Sequence, residues 1–219
     1  MTWSAELNTR LTHCRLCPRL VAWREEVARV KKREFGDWEY WGKPVPSFGD
    51  PRARLLVIGL APAAHGANRT GRMFTGDQSG RWLYRALHQA GFATQPSWER
   101  ADDGLRLIDC YITAVAHCAP PANKPAPGEI RNCRPYLLEE LAHLKNLRVV
   151  VALGRIAFEQ YRQVVGARGL RFGHDREHSL GAGLPVLISS YHPSRQNTNT
   201  GKLTEPMLAA VFARAKRLV

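Results

Sequence analysis

Five cysteines and three loops hold most of the reactive side chains of this 219-residue chain. Cys14-x2-Cys17 is a close pair, and Cys118 and Cys133 follow far downstream. Four thiolates suit either a tetrahedral zinc site or a [4Fe–4S] cluster. A close pair with two distant single cysteines is less like a zinc finger than two close pairs would be. That tilts the reading slightly toward iron–sulfur, and the spacing alone leaves both open. Cys110 lies among apolar neighbours and reads as a small buried hydrophobe. An odd cysteine count, with no apolar leader in the sequence, argues against a disulfide framework and makes a cytoplasmic location the expectation. The loops carry the remaining chemistry. Gly59–Gly80 contains His65, Phe74 and Asp77; His117–Pro127 contains Asn123; Tyr191–Asn199 contains His192, Ser194, Arg195, Gln196 and Asn197. A carboxylate can orient water or balance a developing cation, and an imidazole can donate a hydrogen bond to a leaving group. Asp77 also stands where a helix N-cap belongs, just before Ser79.

Such loops need strands to carry them. Leu55–Ile58 is an apolar run suited to a buried parallel strand, and it stops at Gly59. A helical pattern over Ser79–Ala90 follows the loop. About twenty residues is far more than the two to six that ordinarily join strand to helix, which makes this loop the expected active site. Further strands are expected at Leu107–Val115, Val149–Gly154 and Pro185–Ser190, with helices over Pro127–Lys145, Arg155–Val165 and Leu203–Leu218. Four prolines exclude regular structure from His117–Pro127. Residues 36–53 read as an aromatic connector, 92–104 as a polar loop, and 166–183, with His174 and His178, as a glycine-rich loop. Strands alternating with helices predict an α/β fold, a parallel sheet with helices on both faces, in one domain spanning 1–219.

The charge points to a partner. Lys and Arg total 32, of which 25 are Arg, against 19 acidic residues, a net charge of +13. Arginine's planar fork suits phosphate, so a polyanion, nucleic acid above all, is expected. The first helical region, residues 3–35, contributes Arg19, Arg24, Arg29, Lys31, Lys32 and Arg33 as a basic face. No stretch is long and apolar enough for a membrane span, so no membrane partner is expected.

Together GLAPAAHG at 59–66, MFTGDQSG at 73–80, CAPPANKPAP at 118–127 and HPSRQNT at 192–198 resemble the uracil-DNA glycosylase superfamily. The match is to its iron–sulfur branch, type b or family 5, and spans Cys14 to the last helix. The resemblance implies an open four-stranded parallel sheet between helices, and a monomer. It also implies a mainly structural [4Fe–4S] cluster on Cys14, Cys17, Cys118 and Cys133. The implied activity is flipping a deaminated nucleotide out of DNA and hydrolysing its N-glycosidic bond to leave an abasic site. By resemblance Phe74 stacks on the base, and His192 donates to its O2. Gly59, Ala61, Ala63, His65 and Asn123 line or touch the substrate. Ser194, Arg195, Gln196 and Asn197 meet DNA where relatives insert a wedge. Lys202 and Arg69 are candidate phosphate contacts.

The departures are chemical. The best-known relatives read Gly-Gln-Asp-Pro-Tyr in the first loop, and the aspartate position is Ala61 here. The sister iron–sulfur group has Glu where this chain has Leu60. Asp77 is left as the loop's one carboxylate and takes the catalytic role beside His192. A Thr-Asn-Val base reader is replaced by Thr113-Ala114-Val115, which predicts excision of hypoxanthine or xanthine as well as uracil. No loop lysine is placed for a Schiff base, so the expectation is a monofunctional glycosylase. Two other classes stay in view. A cluster-bearing nucleic-acid-binding or electron-transfer protein with a degenerate pocket would have no need of Phe74, Asp77 and His192 together. A zinc-stabilised module would be colourless where an iron–sulfur protein is brown.

Overall fold

The computed structural model describes residues 2–219. The chain opens with α1, Trp3–Thr12, capped by the Thr2 hydroxyl, and α2, Pro18–Val30, which starts on a proline whose missing N–H costs nothing there. The turn between them carries Cys14 and Cys17. A 3₁₀ turn at Arg33–Phe35 leads through the aromatic connector to β1, Phe48–Gly49. Then come β2 (Leu55–Gly59), the short α3 (Ala67–Thr70), α4 (Gln78–Gln89) and β3 (Cys110–Ala114). A 3₁₀ turn at Pro121–Asn123 precedes α5 (Pro127–His143), β4 (Val149–Leu153) and α6 (Arg155–Val164). The chain ends with β5 (Arg176–His178), β6 (Val186–Ser190), α7 (Arg195–Asn199) and α8 (Glu205–Leu218).

The sheet runs β1-β3-β2-β4-β6-β5. Its four inner strands are parallel and are the four expected from the apolar runs. Alternate residues of β2 feed two cores. Leu55 and Val57 pack toward Leu83 and Leu87 of α4 and Val211 and Phe212 of α8, while Leu56 and Ile58 pack toward Leu137 of α5 and Phe158 of α6. No described helix is long and apolar enough to cross a membrane.

The sheet has six strands, not four. β1 and β5 pair antiparallel on the two edges, with Phe48 opposite Ile112 and Arg176 opposite Ser189. β1 is too short to show a period, and β5 carries Arg176 and Glu177 outward with no apolar alternation, so neither announces itself in sequence. Short, charged edge strands also discourage pairing with other chains. The expected strand at Leu107–Val115 starts only at Cys110, because Asp109 turns to φ +54° and its carboxylate accepts the Arg54 N–H at 2.8 Å.

From β2 the chain steps to β3 on one side and later crosses to β4 on the other. The loops leaving β2 and β4 therefore diverge at the carboxyl edge and open a crevice there, the usual ligand position in an open α/β sheet.

Candidate active site

The loop after β2 folds back on itself. Phe74 sits at φ +53°, a left-handed conformation costing an aromatic residue about 1–3 kcal/mol, and the rim of its ring comes to lie against Gly59. A Cβ on Gly59 would stand 2.7 Å from the ring's Cζ, so only glycine lets the ring seat at the end of β2. Asp77 is the N-cap of α4 and accepts the Gly80 N–H at 3.1 Å through Oδ1. Its Oδ2 is turned to Gly66, where a Cβ would lie 2.5 Å away. The cap thus occupies one oxygen and leaves the other to the loop. Burial pushes the Asp77 carboxyl above the ordinary range, opposed by the Gly80 and Ser79 amides and by Arg195 and Arg69.

Arg69 fastens this loop. Its guanidinium lies between the Phe35 and Trp38 rings, 3.8 and 3.9 Å from their centroids, and donates to the carbonyls of His65 and Gly76. That buried position rules out the phosphate contact expected of it, because its donors are turned into the loop. His65 is held through Nδ1 by the Tyr40 hydroxyl at 3.0 Å. Ala61 and Ala63 are half-buried and bring no polar atom beyond the backbone.

His192 follows β6, and its carbonyl accepts the Asn197 amide at 2.8 Å. Its ring stacks on Phe74, centroids 5.8 Å apart and planes 27° from parallel. Among the described residues neither ring nitrogen has a hydrogen-bond partner. Part of the ring reaches solvent, yet its depth in the fold lowers its pKa to about 4, so the imidazole is neutral at pH 7. Ser194 caps α7 by accepting the Asn197 N–H, while Arg195 and Gln196 are exposed on that helix. Asn123 is also exposed, at φ +55° in its turn.

A cavity of about 440 Å³ opens at the carboxyl ends of β4 and β6, within the range of small-ligand sites. Its walls include Leu60, Gly154, Phe172, Tyr191, His192 and Lys202. Phe74 and Asp77 are not in its wall; His192 is where cavity and loop meet. The structure thus joins Gly59, Phe74 and His192 directly, sets Asp77 in the same folded loop, and leaves Asn123 apart. Phe172 and Tyr191 were missed, and their one signal was position just before or after a strand that lines the crevice. Lys202 stands in the wall with Nζ 4.8 Å over the Tyr191 ring.

Behind this edge, Cys14, Cys17, Cys118 and Cys133 line one small cavity with Leu20 and Val21. Three sulfurs accept N–H groups: Cys118 from Arg24, Cys133 from the His117 backbone and Cys17 from Asn132. Among the described residues no three Cys, His, Asp or Glu side chains are close enough to hold a single metal ion. Four cysteine thiols around one cavity are a donor set of the kind that ligates an iron–sulfur cluster. Arg24, expected on the basic face, is buried here instead. Much of that face is already paired, Arg19 with Glu129 at 2.7 Å and Arg29 with Glu26 at 2.7 Å.

Residues 46–216 match the family model described as the uracil DNA glycosylase superfamily. A type-5 uracil-DNA glycosylase of Thermus thermophilus is 54% identical over 211 residues, 95% of this chain and 94% of the relative. One from Mycobacterium tuberculosis is 53% identical over 217 residues, 97% of this chain and 81% of the relative. A type-4 uracil-DNA glycosylase of Pyrobaculum aerophilum falls to 30% over 161 residues, 71% of this chain and 74% of the relative. The chain belongs to the uracil DNA glycosylase superfamily, within its type-5 group.

Proposed function

We propose that this DNA glycosylase flips uracil, and also hypoxanthine or xanthine, out of DNA and hydrolyses the N-glycosidic bond to leave an abasic site. One observation carries the reading: a neutral imidazole with both ring nitrogens free, stacked on Phe74 at the mouth of a crevice. A neutral N–H donated to the O2 of the departing base strengthens as charge builds there, so it favours the transition state over the substrate. The rings at 5.8 Å are closer than the about 7 Å that a base between them needs, so this reading requires His192 to swing from its stacked position and turn its edge to a base resting on Phe74. With bond breaking ahead of attack, Asp77 faces a sugar cation and a water. Burial raises its pKa, which makes its carboxylate a better proton acceptor than that of an exposed aspartate.

Loss of the amide reader at Ala114 supports the wider base range. Ala114 leaves no amide at that position to penalise a different base edge, and the alanines at 61 and 63 bring no polar side-chain group. The exposure of Arg195 and Gln196 on α7 supports a contact with the duplex. The same reading puts a [4Fe–4S] cluster on Cys14, Cys17, Cys118 and Cys133. Bound there, it would supply iron–thiolate bonds that tie the α1–α2 turn to the proline loop and α5.

End-labelled duplexes carrying one uracil or one hypoxanthine test this with wild type, Asp77→Asn and His192→Ala. Asparagine keeps an oxygen for the α4 cap and removes the charge. Wild type should yield alkali-labile sites, with Asp77→Asn slower by about 10²–10³-fold and His192→Ala by at least about tenfold. Full activity of Asp77→Asn would hand the water to backbone groups or His65. No product from either base would overturn the glycosylase reading.

A further inference from the structure

Arg24 is 2% exposed and has no carboxylate forked onto it, as the likewise buried Arg72 has. Arg72 is forked onto Asp103 by two bonds of 2.7 and 2.8 Å, and Arg69 packs against two aromatic rings and is bonded to two carbonyls, with Nη1 unpartnered. Arg24 has only Glu25 at 3.8 Å, a half-exposed carboxylate already forked by Arg15, and its Nε has no partner. Its shortest bond runs from Nη1 to the sulfur of Cys118 at 2.9 Å, while Nη2 donates to the Cys14 carbonyl at 3.3 Å. A guanidinium buried without a counter-charge costs several kcal/mol, and neutral thiols offer none. The arrangement balances when the cysteine cavity holds net negative charge, as a cluster ligated by four thiolates does.

We infer that Arg24 sets the reduction potential of that cluster, raising it by a charge-assisted N–H···S bond to Cys118. The inference rests on the cluster reading above. One-electron reduction, the electron coming from an electrode or dithionite, adds one negative charge next to a fixed cation and strengthens that bond. The reduced form gains more than the oxidised form, so the potential rises. The bond is also asymmetric. Cys133 and Cys17 receive only neutral donors at 3.4 and 3.5 Å, so the added charge is favoured on the iron that Cys118 binds.

The test uses the whole chain purified without oxygen, as wild type, Arg24→Gln and Arg24→Lys. Iron per chain and visible absorbance are measured first, then the midpoint potential by spectroelectrochemistry and the EPR signal of the reduced cluster. Gln keeps a donor and loses the charge; Lys keeps the charge and loses the planar fork. Both potentials should move negative, Gln further than Lys, with changed EPR g values at wild-type iron content. Should Gln fail to hold iron, the Lys shift alone decides in the same way. Unchanged potentials at wild-type iron content would overturn the role of Arg24 and leave the cluster standing. A colourless, iron-free wild type would overturn the cluster reading itself.

Discussion

Around Asp77 and His192 the holding groups are largely backbone; around the four cysteines side chains do more of the holding. Asp77 leans on the Gly80 amide and the bare Cα of Gly66, and Phe74 on the bare Cα of Gly59. His192 is tethered through its own carbonyl, leaving both ring nitrogens unspent. At the cysteine cavity, Arg24 and Asn132 donate directly to sulfur, and Leu20 and Val21 fill the wall. A site framed by backbone can exchange side chains without losing its shape. Alanine at positions 61 and 114 is such an exchange, and in the proposed mechanism Asp77 carries the load within that frame. Where side chains hold one another, each substitution strips another group of its partner. Changes at the crevice should therefore cost rate, and changes at the cysteines should cost fold.

The largest effect should come from Cys133→Ser. Iron per chain should drop, and the melting temperature should fall by far more than for any loop substitution, because binding energy at a structural metal site is folding energy. Thermal unfolding followed alongside iron analysis checks this. A variant that loses iron and keeps its melting temperature would erase the contrast between the two regions.

How much of this was legible beforehand follows the same division. β2, β3, β4 and β6 are apolar runs buried on both faces, and their positions could be read directly. β1 and β5 could not, since an edge strand of two or three residues, held by a neighbour's free hydrogen-bonding groups, needs no pattern of its own. Asp77 stood out as the one carboxylate of its loop, whereas Phe74 and His192 were singled out by the family resemblance. Arg24 did not stand out, although it lies four residues after Leu20 and three before Val27, in the buried stripe of α2. A cation at that spacing was the available signal, and it was lost among 25 arginines. Asn123 was legible as a residue type, but its left-handed turn holds it in solvent.

The next effect is at His192 and depends on pH. Its pKa of about 4 keeps the ring neutral through the neutral range, and the proposed mechanism needs both that neutral ring and an ionised Asp77. Both requirements fail on the acid side, so log kcat/KM should fall there with a slope approaching two. His192→Gln keeps an N–H donor without a titrating ring; its acid limb should have a slope of one, with about a tenth of wild-type activity retained at pH 7. Stability moves with the same sign. Below an unfolded-state pKa near 6.5 the unfolded chain takes up a proton at this position that the folded chain refuses, until about pH 4. His192 therefore removes at most about 1.4 kcal/mol per pH unit across that window, and denaturant titrations of His192→Gln should show a shallower acid loss.

The smallest effect should come from Gly59→Ala, which probes the frame itself. The backbone at Gly59 suits alanine, so the only conflict is the new methyl against the Phe74 ring, 2.7 Å from Cζ and 2.8 Å from Cε2. The ring has to slide, and it carries the stacking face for the base. KM for a uracil duplex should rise several-fold while kcat changes little, because Asp77 and His192 keep their own supports. Overpacking of this kind costs about 1–3 kcal/mol. Pairing it with Phe74→Leu should return most of that stability, since the shorter side chain clears the methyl, but should not return KM, since leucine offers no aromatic face. The two substitutions would then be strongly non-additive in stability and additive or worse in binding. If Gly59→Ala instead lowered kcat as much as Asp77→Asn, ring and carboxylate would be one mechanical unit. The backbone would then not hold them separately, and the contrast with the cysteine cavity would shrink accordingly.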